Sequence, residues 1–98
     1  MSEPVLAAAD VDAALAEQGI AWERQDDQLT TTVTLRDFAG ALAFVNEVGA
    51  AAEAANHHPD IDIRWNKVRL VLTTHDAGGL TVLDLALAAA IDRLRPLR

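Results

Sequence analysis

The chain has no cysteine and no tyrosine among its 98 residues, and its only aromatic side chains are two Phe and two Trp. Without thiols, disulfides and thiolate metal sites are excluded, and the chain is indifferent to the redox state of its compartment. With so few aromatics, the core falls to Leu, Val, Ile and Ala and calls for close helix approaches. Positive charge is also scarce: eight Lys and Arg stand against fifteen Asp and Glu, for a net charge of -7. Holding a polyanion requires a basic surface that releases counterions, so no nucleic-acid partner is expected. The apolar runs fall far short of the roughly 20 residues that span a bilayer. The opening MSEPVLAAAD has an acid where a secretory signal carries basic residues. No membrane partner and a cytoplasmic location are therefore expected.

Ninety-eight residues suit one domain spanning 1–98, with 1–9 as a loose lead-in around Pro4. A core this small makes a subunit interface a useful further source of burial. Asp10 is expected to cap a helix over VDAALAEQ, with Gly19 as its left-handed end. Ile20 to Arg24, carrying Trp22, reads as a strand, followed by a polar turn at Gln25–Gln28. From Leu29 to Leu35, Leu29, Thr31, Val33 and Leu35 fall on one face and Gln28, Thr30, Thr32 and Thr34 on the other, which makes the second arm of a hairpin. Asp37 opens the longest helix, with Thr34 as a capping candidate. Phe38, Ala41, Leu42, Val45, Val48 and Ala52 form its apolar face. Gly40 and Gly49 each cost about 1 kcal/mol against alanine in a helix, which suggests that something packs closely on them. Asn56 and Pro59 end it.

Ile61, Ile63 and Trp65 alternate with Asp60, Asp62 and Arg64 in a third strand. Asn66-Lys67 is expected to turn the chain, and Val68, Leu70 and Leu72 give a fourth strand. Gly78-Gly79 loosens the exit. Thr81-Val82-Leu83-Asp84 is a capping box in acidic form, with Leu80 stapled onto Leu85. Leu87, Ala88, Ile91 and Leu94 continue the last helix, whose negative end Arg93, Arg95 and Arg98 complement. The predicted fold is α+β, in the order α-β-β-α-β-β-α, with a four-stranded antiparallel sheet and helices on one face.

All three histidines lie between Glu53 and Asp84. Glu53 is four residues before His57, which puts the two on one helical face. His75 follows the fourth strand, and a hairpin of this length returns that end toward His57 and His58. A single histidine at a helix end is more often an exposed residue serving backbone carbonyls. Three meeting at one mouth of a sheet point instead to function. Asp84 is already explained as a cap, and Glu53 as a solvated helix residue. Three imidazoles and a carboxylate can hold zinc, but adjacent histidines diverge and no His-x-x-x-His pair exists. General acid–base work fits better, because imidazole changes charge near neutral pH. Two histidines in opposite protonation states suit a dehydration.

Glu53-x-x-x-His57-His58-Pro59, then Trp65, then His75, then Asp84 after Gly-Gly-Leu-Thr, together resemble the pterin-4a-carbinolamine dehydratase family. Trp22, Asp37-Phe38, Asn66-Lys67-Val68 and Thr74-His75-Asp76 extend the resemblance over nearly the whole chain. It implies the same fold, and loss of water from a 4a-hydroxytetrahydropterin to give the quinonoid dihydropterin. It further implies no metal or organic cofactor, and a homodimer or homotetramer. By resemblance His57 and His75 are the acid–base groups, and His58 orients the pterin. Glu53, Pro59, Trp65, Asp84 and Trp22 are supporting or substrate-binding positions, with Trp65 or Trp22 as an apolar wall and Asp84 supporting His75 or only capping its helix. The alternative is a non-catalytic, coactivator-like dimeric module that docks on a partner protein through its sheet edges and long helix.

Overall fold

Alternation in two strands builds the frame. In this computed structural model, which describes residues 3–96, β2 (Gln28–Thr34) and β4 (Lys67–Leu72) pair antiparallel at the centre of the sheet. Their register sets Leu29 opposite Leu72 and Val33 opposite Val68, so one face of the pair is apolar. Leu29, Val68, Leu70 and Leu72 are fully buried there. Each such side chain stabilises the fold by about 1.5–3 kcal/mol relative to exposure. The opposite face carries Thr32, Thr34, Lys67 and Arg69, as period-two strands require. β1 (Glu23–Gln25) and β3 (Asp60–Arg64) flank the pair, giving the order β1-β2-β4-β3.

Three helices cover the apolar face: α1 (Ala8–Gln18), α2 (Phe38–Ala55) and α3 (Val82–Asp92). They bury Val11 and Leu15, Ala41, Phe44, Val48 and Ala52, and Leu87, Ala88 and Ile91 against the sheet and one another. The α+β order expected from the sequence is the order of the fold.

Several local expectations are corrected. α1 starts before Asp10, from an Ala7 cap that offers no side-chain hydrogen bond. Asp10 instead sits in the first turn, where an acid favours the helix dipole as a cap would. The lead-in is tied down: Leu6 N–H donates to Leu80 O at 2.8 Å. Asp37 is itself the cap of α2, accepting from Gly40 N–H at 2.7 Å. Phe38 and Leu42 are 45 % and 43 % exposed, and Phe44 takes the core position instead. A Cβ at Gly40 would lie 3.3 Å from Asp37 Oδ1, but one at Gly49 would meet nothing within 4 Å. The β3–β4 turn is Trp65-Asn66, because Lys67 pairs with Arg64 in the ladder. Arg95 pairs with Asp92 at 2.8 Å beyond the end of α3, where no basic residue occupies the last turn. Arg98 lies outside the described residues.

Candidate active site

α2 ends because Asn56 adopts the left-handed conformation, with φ 49°. The turn is locked by His57 N–H donating to Ala52 O at 3.1 Å. This bend separates the two adjacent imidazoles. His57 turns inward and places Nε2 2.6 Å from Asp84 Oδ1. His58 turns outward, and its Nε2 lies 2.5 Å from Glu53 Oε2. Glu53 thus serves His58 and not His57: the i,i+4 geometry stops at Ala55, where the helix does. Both members of the outer pair are exposed, so water screens it and it contributes little to stability.

The inner pair is of another kind. Asp84 is fully buried, and the His57 side chain is 11 % exposed. A carboxylate sealed from water needs a donor for each oxygen. Oδ1 faces His57, while Oδ2 accepts from Thr81 N–H at 2.9 Å and from the Thr74 hydroxyl at 2.7 Å. The Thr74 and Thr81 hydroxyls lie 2.9 Å apart. Leu83 N–H donates to Thr81 Oγ1 at 3.1 Å, which completes the predicted capping box. Asp84 therefore caps α3 with one oxygen and holds His57 with the other. The capping pattern pointed to the first role, and the family resemblance offered His75 as the histidine it supports; the carboxylate meets His57 instead.

His75 follows Thr74 directly. It opens a turn that Thr74 and Gly79 close, with Thr74 N–H donating to Gly79 O at 3.1 Å and Gly78 N–H to Thr74 O at 3.0 Å. Gly78 has φ 80°, which glycine adopts without steric cost. The carboxylate of Asp84 thus links the ring of His57 to the residue preceding His75. Pro59 sits between His58 and the first residue of β3 and blocks continuation of the helix.

Neither tryptophan stands beside this network. Trp22 is buried in the core, and its Nε1–H donates to Asp92 Oδ1 at 2.9 Å. Asp92 is eight positions beyond Asp84, about 12 Å along α3 at 1.5 Å per residue. Trp65 is 65 % exposed at the far tip of the β3–β4 hairpin. Five residues of strand carry it about 16 Å from Asp60, at the end away from the histidines. A cleft of about 700 Å³ also opens at that distant end. It lies between β2, the first half of α2 and residues 94–96, and no histidine lines it. The expected hollow walled by the three imidazoles and a tryptophan is not that cleft. Among the described residues, no three His, Asp or Glu side chains are grouped so as to hold a metal ion.

Sequence reasoning missed the threonines. Thr81 is visible as the cap, but nothing in the pattern shows that Thr74 reaches across the turn to the same carboxylate.

A family model described as Pterin 4 alpha carbinolamine dehydratase matches residues 4–94. The chain is 53 % identical over 91 residues to a Chloroflexus aurantiacus protein assigned as a pterin-4-alpha-carbinolamine dehydratase, covering 93 % of this chain and 97 % of that one. A similarly assigned protein of Thermosynechococcus vestitus is 47 % identical over 89 residues, covering 91 % and 93 %. A crystal structure of a transcriptional coactivator/pterin dehydratase from Brucella melitensis superposes with a TM-score of 0.86 at 26 % identity, covering 94 % of this chain and 99 % of that one.

Proposed function

Because the chain belongs to the pterin-4a-carbinolamine dehydratase family, we propose that its elimination chemistry runs between His57 and His75, with Asp84 supporting the first. The activity is that of a pterin-4a-carbinolamine dehydratase, a lyase of pterin recycling. In the reaction the C4a–O bond breaks and the hydroxyl leaves as water, which requires a proton. The N5–H bond gives up its proton, and a C4a–N5 double bond forms. Protons are balanced if one imidazole delivers and another accepts. The observation that supports the roles of His57 and Asp84 is the 2.6 Å contact between the inward-turned imidazole and the fully buried carboxylate, while His75 is assigned by family resemblance. A buried carboxylate held by other donors fixes an imidazole's orientation, whereas a solvated one does so poorly. We assign His58, held by Glu53 at the surface, the role of orienting the pterin; the family resemblance supports this.

The test is acceleration of 4a-hydroxytetrahydrobiopterin dehydration over its spontaneous rate. His57→Ala and His75→Ala are expected to lower kcat by about 10²–10⁴, the usual worth of a positioned acid or base. Wild-type rates in either variant would remove that residue from the mechanism.

A homodimer or homotetramer is the assembly we favour. Phe38 and Leu42 on α2, Ile61 on the edge strand β3 and Trp65 at its tip are large apolar side chains left exposed. Apolar surface of this kind marks contact sites, and light scattering of the purified protein reads the subunit number. A coactivator-like docking module would use the same surfaces. It gives no reason for a buried carboxylate that, beyond its two capping-side donors, turns its other oxygen to a histidine, so the enzyme is preferred.

A further inference from the structure

We propose that Thr74 and Thr81 are positioning residues that hold the His57 proton on Nε2, leaving Nδ1 as the nitrogen that meets the substrate. This rests on the catalytic reading of His57 above. The argument is one of donors and acceptors. Thr81 Oγ1 already accepts from Leu83 N–H at 3.1 Å, so its own proton is free to go to Thr74 Oγ1, 2.9 Å away. The Thr74 proton then goes to Asp84 Oδ2, at 2.7 Å. Thr81 N–H occupies the same oxygen at 2.9 Å. Each hydroxyl has one proton to give, so the chain runs one way, from Thr81 through Thr74 to the carboxylate. These donors hold Asp84 by Oδ2 with Oδ1 aimed at His57; as a carboxylate Oδ1 can only accept, so the 2.6 Å contact carries its proton on Nε2.

The other nitrogen is left open. Among the described residues, no partly buried side chain has a nitrogen or oxygen that is both sealed from solvent and unpartnered. His57 Nδ1 makes no hydrogen bond within the fold, so it reaches the outside even though most of its ring is covered. Thr74 has a second consequence. Its backbone closes the turn that begins with His75, so one residue fixes both the orienting carboxylate and the path of the second histidine.

The experiment uses full-length protein with ¹⁵N-labelled histidine, without pterin, and reads the ring nitrogens of neutral His57 by NMR. Wild type and Thr74→Ser are expected to carry the proton on Nε2. Thr74→Val keeps the side-chain shape but removes the hydroxyl. It is expected to mix the two forms and to lower kcat about 10- to 100-fold, the scale of a hydrogen bond to a charged group, with KM within about twofold. Thr74→Ser should recover most of the rate. Nε2-protonated His57 in Thr74→Val together with a wild-type kcat would overturn the proposal. So would a wild-type ring carrying its proton on Nδ1, which needs no variant to fold. An inactive wild type that retains the Nε2 form would defeat the catalytic reading while leaving the positioning intact.

Discussion

Replacing Asp84 by asparagine separates its two roles, because the amide can satisfy only one of them. Oδ2 receives two donors, at 2.7 and 2.9 Å, and Oδ1 receives one, at 2.6 Å. The amide carbonyl therefore belongs at the Oδ2 position, and the NH₂ turns toward His57. The reverse orientation would set NH₂ against two donors. It loses one more hydrogen bond than the first and leaves buried donors unpaired, at a cost of about 1–3 kcal/mol. At roughly 1.4 kcal/mol per tenfold, it is a minor population. Facing an amide donor, His57 Nε2 must accept, so the neutral ring carries its proton on Nδ1 instead. A reversed tautomer in an otherwise intact site is costly; in serine proteases the same exchange lowers kcat by about 10⁴. We expect Asp84→Asn to fold with its helix cap in place and to lose about 1–3 kcal/mol of stability, because charged hydrogen bonds become neutral ones. That is roughly 4–8 °C of melting temperature per kcal/mol for a domain of this size. Its kcat should fall by about 10²–10⁴. The assays are dehydration kinetics beside thermal denaturation and the ring-nitrogen spectrum. An Asp84→Asn protein with normal turnover, or with His57 still protonated on Nε2, would refute the reasoning.

The two α2 glycines should diverge in their response to alanine. Gly49→Ala meets open space and should raise the stability of the isolated subunit by about 0.5–1 kcal/mol, whereas Gly40→Ala must push Asp37 Oδ1 from 3.3 Å and gain less or lose. Equal melting shifts in the two would contradict this. The Arg24 guanidinium, hydrogen-bonded at 2.8 Å, holds the Asp12 carboxyl below its ordinary range. Its folded value is thus lower than its unfolded one. The small, salt-screened stabilisation is present above the unfolded value and lost as pH falls through the folded one. Asp12→Asn should therefore melt slightly below wild type at neutral pH and together with it in strong acid, and a gap that persists in acid would reverse the sign.

What the sequence revealed follows from how strongly its patterns are forced. Leu29 and Val33 share one period-two face of a run rich in β-branched residues, and the strand Gln28–Thr34 sits where that pattern puts it. The run FAGALAFV at the start of α2 is apolar nearly all round. Periodicity therefore could not choose between Phe38 and Phe44, and the choice fell to tertiary packing. Trp65 has φ 55° in the hairpin turn, a conformation unusual for a bulky residue, and no propensity rule would assign it there. At the site, the shared neighbourhood of His57 and Asp84 depended on α3 beginning immediately beneath the end of α2. That distance belongs to the fold, not to the sequence separation of 27. The Glu53 partner was misread for a local reason: one left-handed residue, Asn56, rotated the histidine pair out of helical phase.

The double duty of Asp84 also bears on how descendants of this chain can change. For the first turn of α3 alone, glutamate or glutamine at position 84 would close a capping box as well. Neither keeps a short carboxylate against the imidazole of His57 while the threonines hold its other oxygen. A lineage could retire from catalysis with its architecture untouched by way of this one codon. On the proposed roles, the identity of residue 84 bears on turnover alongside the presence of the paired histidines.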